Sequence, residues 1–257
     1  TYAPSAVTVF LAATATKVAA YALIRVTYTI FGTVDILDTV AVREMLMVMA
    51  LLAMFVGSLV AIYQVNVKRM LAYSSIAQIG YMVLGLSFDT VTGVAAGIIH
   101  LFNHALMKGS LFMALGAVMY RIGSVQLHDM AGLGKSMPLT MAAFVAGGLS
   151  LIGIPLTVGF VSKWYLIQAA LEKGWWPVAI LIVICSLLAV IYVWRVVEVV
   201  YFKRSTGTAA RVVEAPLSLV APTWLLLGGV IYFGIDATMT LDVAINAAKA
   251  LMSGGGV

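Results

Sequence analysis

Apolar residues along the chain gather into long runs separated by short polar or glycine-rich connectors. Several runs exceed the ~20 consecutive apolar residues that cross the hydrocarbon core of a bilayer as a helix. A transmembrane barrel would need short strands of alternating polarity, and these runs do not alternate. The pattern therefore predicts an all-α, polytopic membrane protein with about seven transmembrane helices. The predicted segments are 4–31, 42–63, 68–87, 91–120, 138–172, 176–202 and 216–235.

The fifth predicted segment is too long for a simple span, and it contains Gly153 and Pro155. A proline inside a helix removes a backbone donor and frees a carbonyl. Unpaired backbone at membrane depth is tolerated only where it lines a protein interior or a water-filled cavity. We therefore expect a helix broken in the membrane at Gly153 and Pro155. Residues 1–235 then form the transmembrane domain, and 236–257 form an interfacial helix followed by a flexible, glycine-rich tail.

Composition agrees with a membrane location and excludes several function classes. Of the 257 residues, 63% are hydrophobic and 10% are charged, whereas soluble domains average roughly 45–50% and about 25%. The net charge of +5 comes from scattered cations, without a basic run or an aromatic platform, so nucleic acid is not an expected partner. With one cysteine, Cys185, and no dinucleotide-binding fingerprint, the chain is not expected to hold a flavin, an iron–sulfur cluster or another cofactor.

The cations between the predicted helices indicate an orientation. The side that carries more of them faces the cytoplasm under the positive-inside rule, which puts the N-terminus in the cytoplasm and the C-terminus outside the cell inner membrane. The cytoplasmic set is Arg69, Arg121, Lys135, Lys203, Arg204 and Arg211, with Lys68 at its edge. The opposite set is Arg43, Lys173 and Lys249, with Arg25 near a helix end.

Titratable side chains also occur inside the apolar segments, where a charge costs about 2.5–3.5 kcal/mol on insertion scales. Lys17 lies among small alanines in the first segment, and Lys163 follows the predicted helix break. A second group, spaced i, i+4 and i+8, lines one helical face of the fourth segment over roughly 12 Å. Buried lysines and histidines that are linked by water can pass protons stepwise, so the pattern favours proton handling. That second group is His100, His104 and Lys108.

Other interpretations of these residues stay open. His100 and His104 could hold the metal of an intramembrane hydrolase, but the HExxH pattern and a nearby carboxylate ligand are missing, so we expect neither metal nor catalytic chemistry in this chain. Lys68, at the start of the third segment, is explained equally well as a positive-inside anchor. Arg195 and Glu198, spaced i and i+3, are predicted to form a structural ion pair. A membrane scaffold, whose polar residues serve only helix packing, is the rival from another class.

Several stretches resemble the antiporter-like proton-channel subunits shared by multi-subunit Na+/H+ (Mrp-type) antiporters and respiratory complex I. They are YAPSAVTVFLAATATKVAAYALIR, NVKRMLAYSSIAQIGYMVLG, HLFNHALMKGSLFMALGAVMYRIG and LIGIPLTVGFVSKWYLI. HLFNHALMKGSLF and EAPLSLVAP are more similar to the D-type subunit of Mrp antiporters. The Lys17 region and GIPLTVGFVSKWY also look like the complex I subunit nearest the peripheral arm.

The resemblance implies a fold of about fourteen helices built around two inverted repeats of five, of which this chain matches the C-terminal part. The first six or so helices would then lie outside it, including the helix whose glutamate pairs with the lysine matching Lys17. The resemblance further implies that Lys17 and Lys163 lie on the two discontinuous helices. Lys68 would be the bridging lysine of a central hydrophilic axis. The polar helix between the half-channels is matched by His100, His104 and Lys108.

The leading hypothesis is a membrane subunit that translocates protons through this lysine–histidine relay as part of a multi-subunit Na+/H+ antiporter. Its expected partners are other membrane subunits, the lipid bilayer, H+ and, in this assignment, Na+. The alternative is a proton-pumping, antiporter-like subunit of complex I or of a related hydrogenase, where a redox reaction in other subunits drives the path. A structural scaffold is the second alternative.

Overall fold

The computed structural model describes residues 5–31, 41–204 and 212–253, and within these ranges the chain forms a bundle of nine principal helices. Six are long and apolar enough to cross a membrane, and α5 is a shorter apolar helix. The predicted polytopic, all-helical class is therefore confirmed. The helices are α1 (Ser5–Phe10, Leu11–Ala15, Thr16–Arg25 and Val26–Ile30 in series), α2 (Val42–Tyr63), α3 (Val67–Ser87), α4 (Val91–Ile122), α5 (Pro138–Ile152), α6 (Val158–Glu172), α7 (Trp176–Val197, extended by Glu198–Phe202), α8 (Leu217–Ile235) and α9 (Thr238–Met252).

The first helix is irregular along its length. Two π-helical segments, Leu11–Ala15 and Val26–Ile30, interrupt its α-helical parts. A π-helical turn inside an α-helix is rare and is frequently found at functional sites. Lys17 follows the first of these segments after a single residue, Thr16. The irregularity therefore coincides with the buried charge of this helix.

The predicted break in the fifth segment is confirmed. Helix α5 ends at Ile152, and Gly153 caps it in the left-handed conformation with φ 94°. A glycine in this conformation is a common helix C-cap because it has no Cβ to clash. The chain resumes its helix at Val158, after extended backbone at Thr157. The carbonyls of the last turn of α5 are therefore left without partners inside their own helix.

Helix α4 forms the centre of the bundle, where it packs against α1, α3, α5, α6, α8 and α9. Close approach of α5 and α6 depends on Gly159, because a Cβ at this position would lie 1.8 Å from the backbone oxygen of Ser150. Small residues allow membrane helices to approach in this way. The result is a tight contact between the two halves of the broken helix, next to α4.

The connectors gather at two opposite ends of the bundle, as expected for spanning helices. At one end, the loop before α3 pairs with the loop after α4 through an antiparallel bridge between Asn66 and Gln126. At the other end, the Asp89 carboxylate accepts hydrogen bonds from Tyr28 Oη at 2.9 Å and from Arg43 at 3.2 Å. Which end faces the cytoplasm stays a prediction.

The C-terminal stretch that was predicted as an interfacial helix forms α9. Ala244 and Ala248 are buried in a cluster with residues of α4, so this helix lies against the bundle. Residues 254–257 of the predicted tail lie outside the described residues, as does Arg211, which was counted for the orientation.

Candidate functional site

Three titratable side chains form a buried row along one face of α4. His100, His104 and Lys108 are each 0% exposed, and the described helix is continuous through all three positions. The rings of His100 and His104 stack with centroids 6.0 Å apart and an angle of 10° between their planes. The shared helical face expected from their spacing is thus observed, in the interior of the bundle.

His100 is held from both sides by neutral polar groups. Ser162 Oγ on α6 lies 2.7 Å from His100 Nδ1, and Gln78 Oε1 on α3 lies 3.0 Å from His100 Nε2. Both partners are buried. The imidazole therefore links α3 to the half-helix that follows the break.

His104 differs from His100 because both of its ring nitrogens are buried without a hydrogen-bond partner in the described part of the protein. The Oδ1 atom of the neighbouring Asn103 is in the same situation, although its Nδ2 donates to the Val158 carbonyl at 2.8 Å. Buried polar atoms in proteins are almost always paired with protein groups or ordered water. The middle of the row therefore calls for water, which is the link that proton transfer between the side chains requires.

Lys108 ends the row in a cradle of neutral oxygens from α3. Its Nζ donates to the Leu71 carbonyl at 2.7 Å and to Ser74 Oγ at 2.5 Å. Ser75 Oγ donates to the same Leu71 carbonyl at 3.1 Å. The ammonium is thereby stabilised without a carboxylate.

A cavity of about 790 Å³ lies next to this cradle, between α1, α3 and α4. Ser75 lines it, so one residue separates the cavity from the carbonyl that binds Lys108. Lys68, half-buried in the first turn of α3, lines the same cavity. The structure therefore places Lys68 at this cavity, outside the fully buried row.

Lys163 occupies the break in the fifth segment. Its Nζ donates to the carbonyls of Leu151 and Ile152 at 2.9 and 2.8 Å, which are freed where α5 ends. The ammonium also lies 4.9 Å from the ring centroid of Tyr81, a distance at which a cation interacts favourably with an aromatic face. The C-terminal end of a helix carries partial negative charge and favours a cation. The proline, the glycine and the lysine thus belong to one local arrangement.

Lys17 is buried on α1 and donates to the carbonyl of Ala12, which belongs to the first π-helical segment. This repeats the arrangement at Lys163, because an ammonium meets a carbonyl where the helix is irregular. Ala12 and Thr16 line the 790 Å³ cavity, and Lys17 directly follows Thr16 in the sequence.

The ion pair predicted between Arg195 and Glu198 does not form within the described residues. The Arg195 guanidinium instead donates to the Gln64 carbonyl at 3.4 Å, while Glu198 is exposed. Gln64 follows the last residue of α2, where backbone carbonyls lack helical partners and attract cations. A free carbonyl at a helix end competes successfully with an exposed carboxylate for this guanidinium.

Sequence reasoning missed the neutral residues that surround the row. Ser74, Gln78 and Tyr81 all contact it from α3, and Ser162 contacts it from α6. A signal for the first three was present, since their spacing of i, i+4 and i+7 places them on one helical face. For Ser162, the signal was its position directly before Lys163, because the predicted break before Lys163 also places Ser162 there.

Comparison with known proteins gives matches over most of the chain. Residues 1–189 match the family model described as NADH:quinone oxidoreductase/Mrp antiporter, TM. A relative named NADH-quinone oxidoreductase subunit N, from Desulforudis audaxviator, is 41% identical over 96% of this chain and 51% of the relative. The chain thus spans about half the length of such relatives.

Solved structures of related membrane complexes also match this chain over most of its length. A chain of the membrane-bound sulfane sulfur reductase, an archaeal respiratory membrane complex, is 35% identical with a TM-score of 0.85 over 97% of this chain and 50% of that one. A chain of the Mrp complex from a Dietzia species is 27% identical with a TM-score of 0.83, over 92% of this chain and 51% of that one.

Proposed function

The chain belongs to the transmembrane family of NADH:quinone oxidoreductase and Mrp antiporter subunits, and we propose that it carries part of a proton path through a membrane complex. The path runs along Lys108, His104 and His100 to Ser162 and Lys163. One observation supports this most strongly: the row is buried on one continuous helix and is bonded by neutral groups at both ends. A proton can move along such a row by successive transfers through the side chains and water.

The cavity at Lys68 supplies access to the Lys108 end of the path. Ser75 lines this cavity and donates to the Leu71 carbonyl, which also accepts from Lys108, so water in the cavity would reach the Lys108 end by way of Ser75. Lys17 is connected to the same region, because its ammonium donates to the carbonyl of Ala12, a residue that lines the cavity. The partners of the path are other membrane subunits and the lipid bilayer, as the names of the matched complexes suggest.

We further propose that the driving reaction is redox chemistry in other subunits. The D-type resemblance of HLFNHALMKGSLF favoured an Na+/H+ antiporter. The 41% identity to a protein named NADH-quinone oxidoreductase subunit N, together with the 35% identity to a respiratory membrane complex, supports the redox-driven alternative. Pumping by the purified complex in Na+-free buffer, on addition of reductant, is the expected result. A strict Na+ requirement would restore the antiporter assignment.

The relay itself is tested in the assembled complex in proteoliposomes. Lys163→Ala removes the ammonium at the break and should lower proton translocation by about 100-fold or more. Lys249→Ala is the matched control, because Lys249 is exposed on α9 and lies outside the path. Normal pumping by an assembled Lys163→Ala complex would sink the relay and favour a scaffold.

A further inference from the structure

Gln78 is an uncharged, buried residue that contacts His100. His100 is the histidine of the row that has two hydrogen-bond partners. It cannot carry a proton at neutral pH, because an amide is neither an acid nor a base there. Its effect on the path must therefore come from how it orients the proton of His100. Its Oε1 lies 3.0 Å from His100 Nε2, and Ser162 Oγ occupies the other nitrogen.

The donors and acceptors around His100 favour one tautomer of the neutral ring. A neutral imidazole has one nitrogen that donates and one that accepts. The Gln78 carbonyl oxygen can only accept, so Nε2 must carry the proton. Ser162 then donates its hydroxyl proton to Nδ1 across 2.7 Å. Both ring nitrogens of His100 are satisfied in this arrangement.

The opposite tautomer is disfavoured by the same geometry. With the proton on Nδ1, the lone pair of Nε2 faces the carbonyl oxygen of Gln78 at 3.0 Å, so two acceptors oppose each other. The hydroxyl of Ser162 must then donate to the carbonyls of Val158 or Gly159, which are 3.5 Å away. Rotation of the Gln78 amide by a half-turn removes the first conflict, because its NH₂ group then donates to Nε2.

We propose that the Gln78 amide is a gate that decides through which nitrogen His100 exchanges its proton. With the carbonyl oxygen towards the ring, Nε2 keeps its proton, and the ring takes up a further proton only at Nδ1, through Ser162. With the amide rotated, Nε2 is free of its proton and the ring holds one at Nδ1. Gln78 thus separates the part of the proton path on the Lys163 side of His100 from the part on the His104 side.

One forward transfer is balanced as follows. Ser162 passes its hydroxyl proton to Nδ1 and takes up the proton that the Lys163 ammonium gives through water, so Lys163 becomes a neutral amine and His100 an imidazolium with both nitrogens protonated. Rotation of the Gln78 amide then takes its oxygen away from Nε2, the Nε2 proton passes to a water molecule beside His104, and the amide NH₂ group donates to the emptied nitrogen. Water is needed because the stacked rings, 6.0 Å apart, have no direct bond between their nitrogens. The inference rests on the proposed proton path and adds a positioning residue to it.

The assignment is tested by ¹⁵N nuclear magnetic resonance on the full chain, labelled at histidine and reconstituted in liposomes. The chain has three histidines, and His128 is removed beforehand because it lies on the surface. In the native protein we expect a proton on Nε2 of His100 and none on Nδ1. In Gln78→Glu, the carboxylate should hold both nitrogens protonated. A native ring protonated at Nδ1, or an unchanged spectrum in Gln78→Glu, would overturn the gate.

A second variant covers the case in which the buried carboxylate prevents folding. Gln78→Met keeps a side chain of similar length and replaces the amide oxygen by a sulfur that accepts only weakly, so His100 should show both neutral tautomers. The matched control is Gln168→Glu on α6, which is half-buried outside the row and should leave the His100 signals unchanged. A single Nε2-protonated ring in Gln78→Met would show that Gln78 does not set the tautomer.

Translocation by the complete complex gives the functional reading. Gln78→Glu should lower proton flux by about tenfold or more, since the ring can no longer release its Nε2 proton, whereas Gln168→Glu should pump normally. Native flux in Gln78→Glu would refute the gate. The proposed function fails on a different result, namely normal pumping by Lys163→Ala, so the two failures are distinguishable.

Discussion

The contact between α5 and α6 permits a test of whether the two halves of the broken helix must be held tightly together. In Gly159→Ala, the new Cβ would meet the backbone oxygen of Ser150 at 1.8 Å, whereas an ordinary contact begins near 3.4 Å. The two backbones must therefore separate by about 1.6 Å at this point. Neither backbone can move as a flexible side chain would, so the two half-helices have to shift.

The expected size of the effect follows from the bonds next to that contact. Lys163 donates to Leu151 and Ile152 at 2.9 and 2.8 Å, and a shift of this size would break both bonds. Overpacking in a well-packed core costs typically about 1–3 kcal/mol. A misplacement of about 1 Å in a reacting geometry can cost about 100-fold in rate. We therefore expect a lower thermal unfolding midpoint together with proton flux reduced by about two orders of magnitude.

The assays are thermal unfolding of the purified protein and proton flux in proteoliposomes of the assembled complex. Gly228→Ala in α8 is the matched control, because a Cβ at Gly228 meets nothing within 4 Å. In a helix interior, that change should be neutral or stabilising by up to about 1 kcal/mol. Native flux and native stability in Gly159→Ala would refute the requirement for a tightly held break.

Two further predictions concern the ends of the bundle. Asp89→Ala removes the carboxylate that joins α1 to the start of α2 through Tyr28 and Arg43. This change should lower the free energy of unfolding by about 1–3 kcal/mol. Asp89→Asn should lower it less, because asparagine also tolerates the φ of 50° found at this position. Equal unfolding midpoints for Asp89→Ala and the native protein would contradict this. In a cysteine-free background, Lys203→Cys should react with a membrane-impermeant maleimide from the cytoplasmic side and Lys173→Cys from the opposite side. The reverse pattern would overturn the orientation.

Features with a local chemical cause could be predicted from the sequence. The break at Gly153 and Pro155 follows from the backbone preferences of these two residues. The row on α4 follows from helical periodicity within one helix. Both features depend on neighbours only a few residues away, so the local amino-acid sequence is enough to predict them.

Features that depend on distant partners could not be predicted in the same way. The bonds of His100 reach Gln78 and Ser162, which are 22 and 62 residues away along the chain. Arg195 prefers the carbonyl of Gln64, which is 131 residues away, over the acid one turn along its own helix. Spacing alone indicates which partners are possible within a helix, whereas the free carbonyls of a neighbouring helix end depend on the packing of the bundle.

The partners of the buried lysines suggest why they can serve a proton path. In the described part of the protein, Lys17, Lys108 and Lys163 each donate to backbone carbonyls, and none is bonded to a carboxylate. A carboxylate in a medium of low dielectric constant would hold the ammonium by a strong Coulomb interaction, and removing one partner of such a buried pair is costly. A carbonyl oxygen is a dipole without net charge, so it orients the lysine while opposing the loss of its proton much less. Two of these lysines obtain their carbonyls from irregular backbone, in the π-helical segment of α1 and at the end of α5. The irregular turns therefore supply carbonyls that bind these lysines. Each lysine can still exchange a proton with water, because no carboxylate of the described residues holds its ammonium.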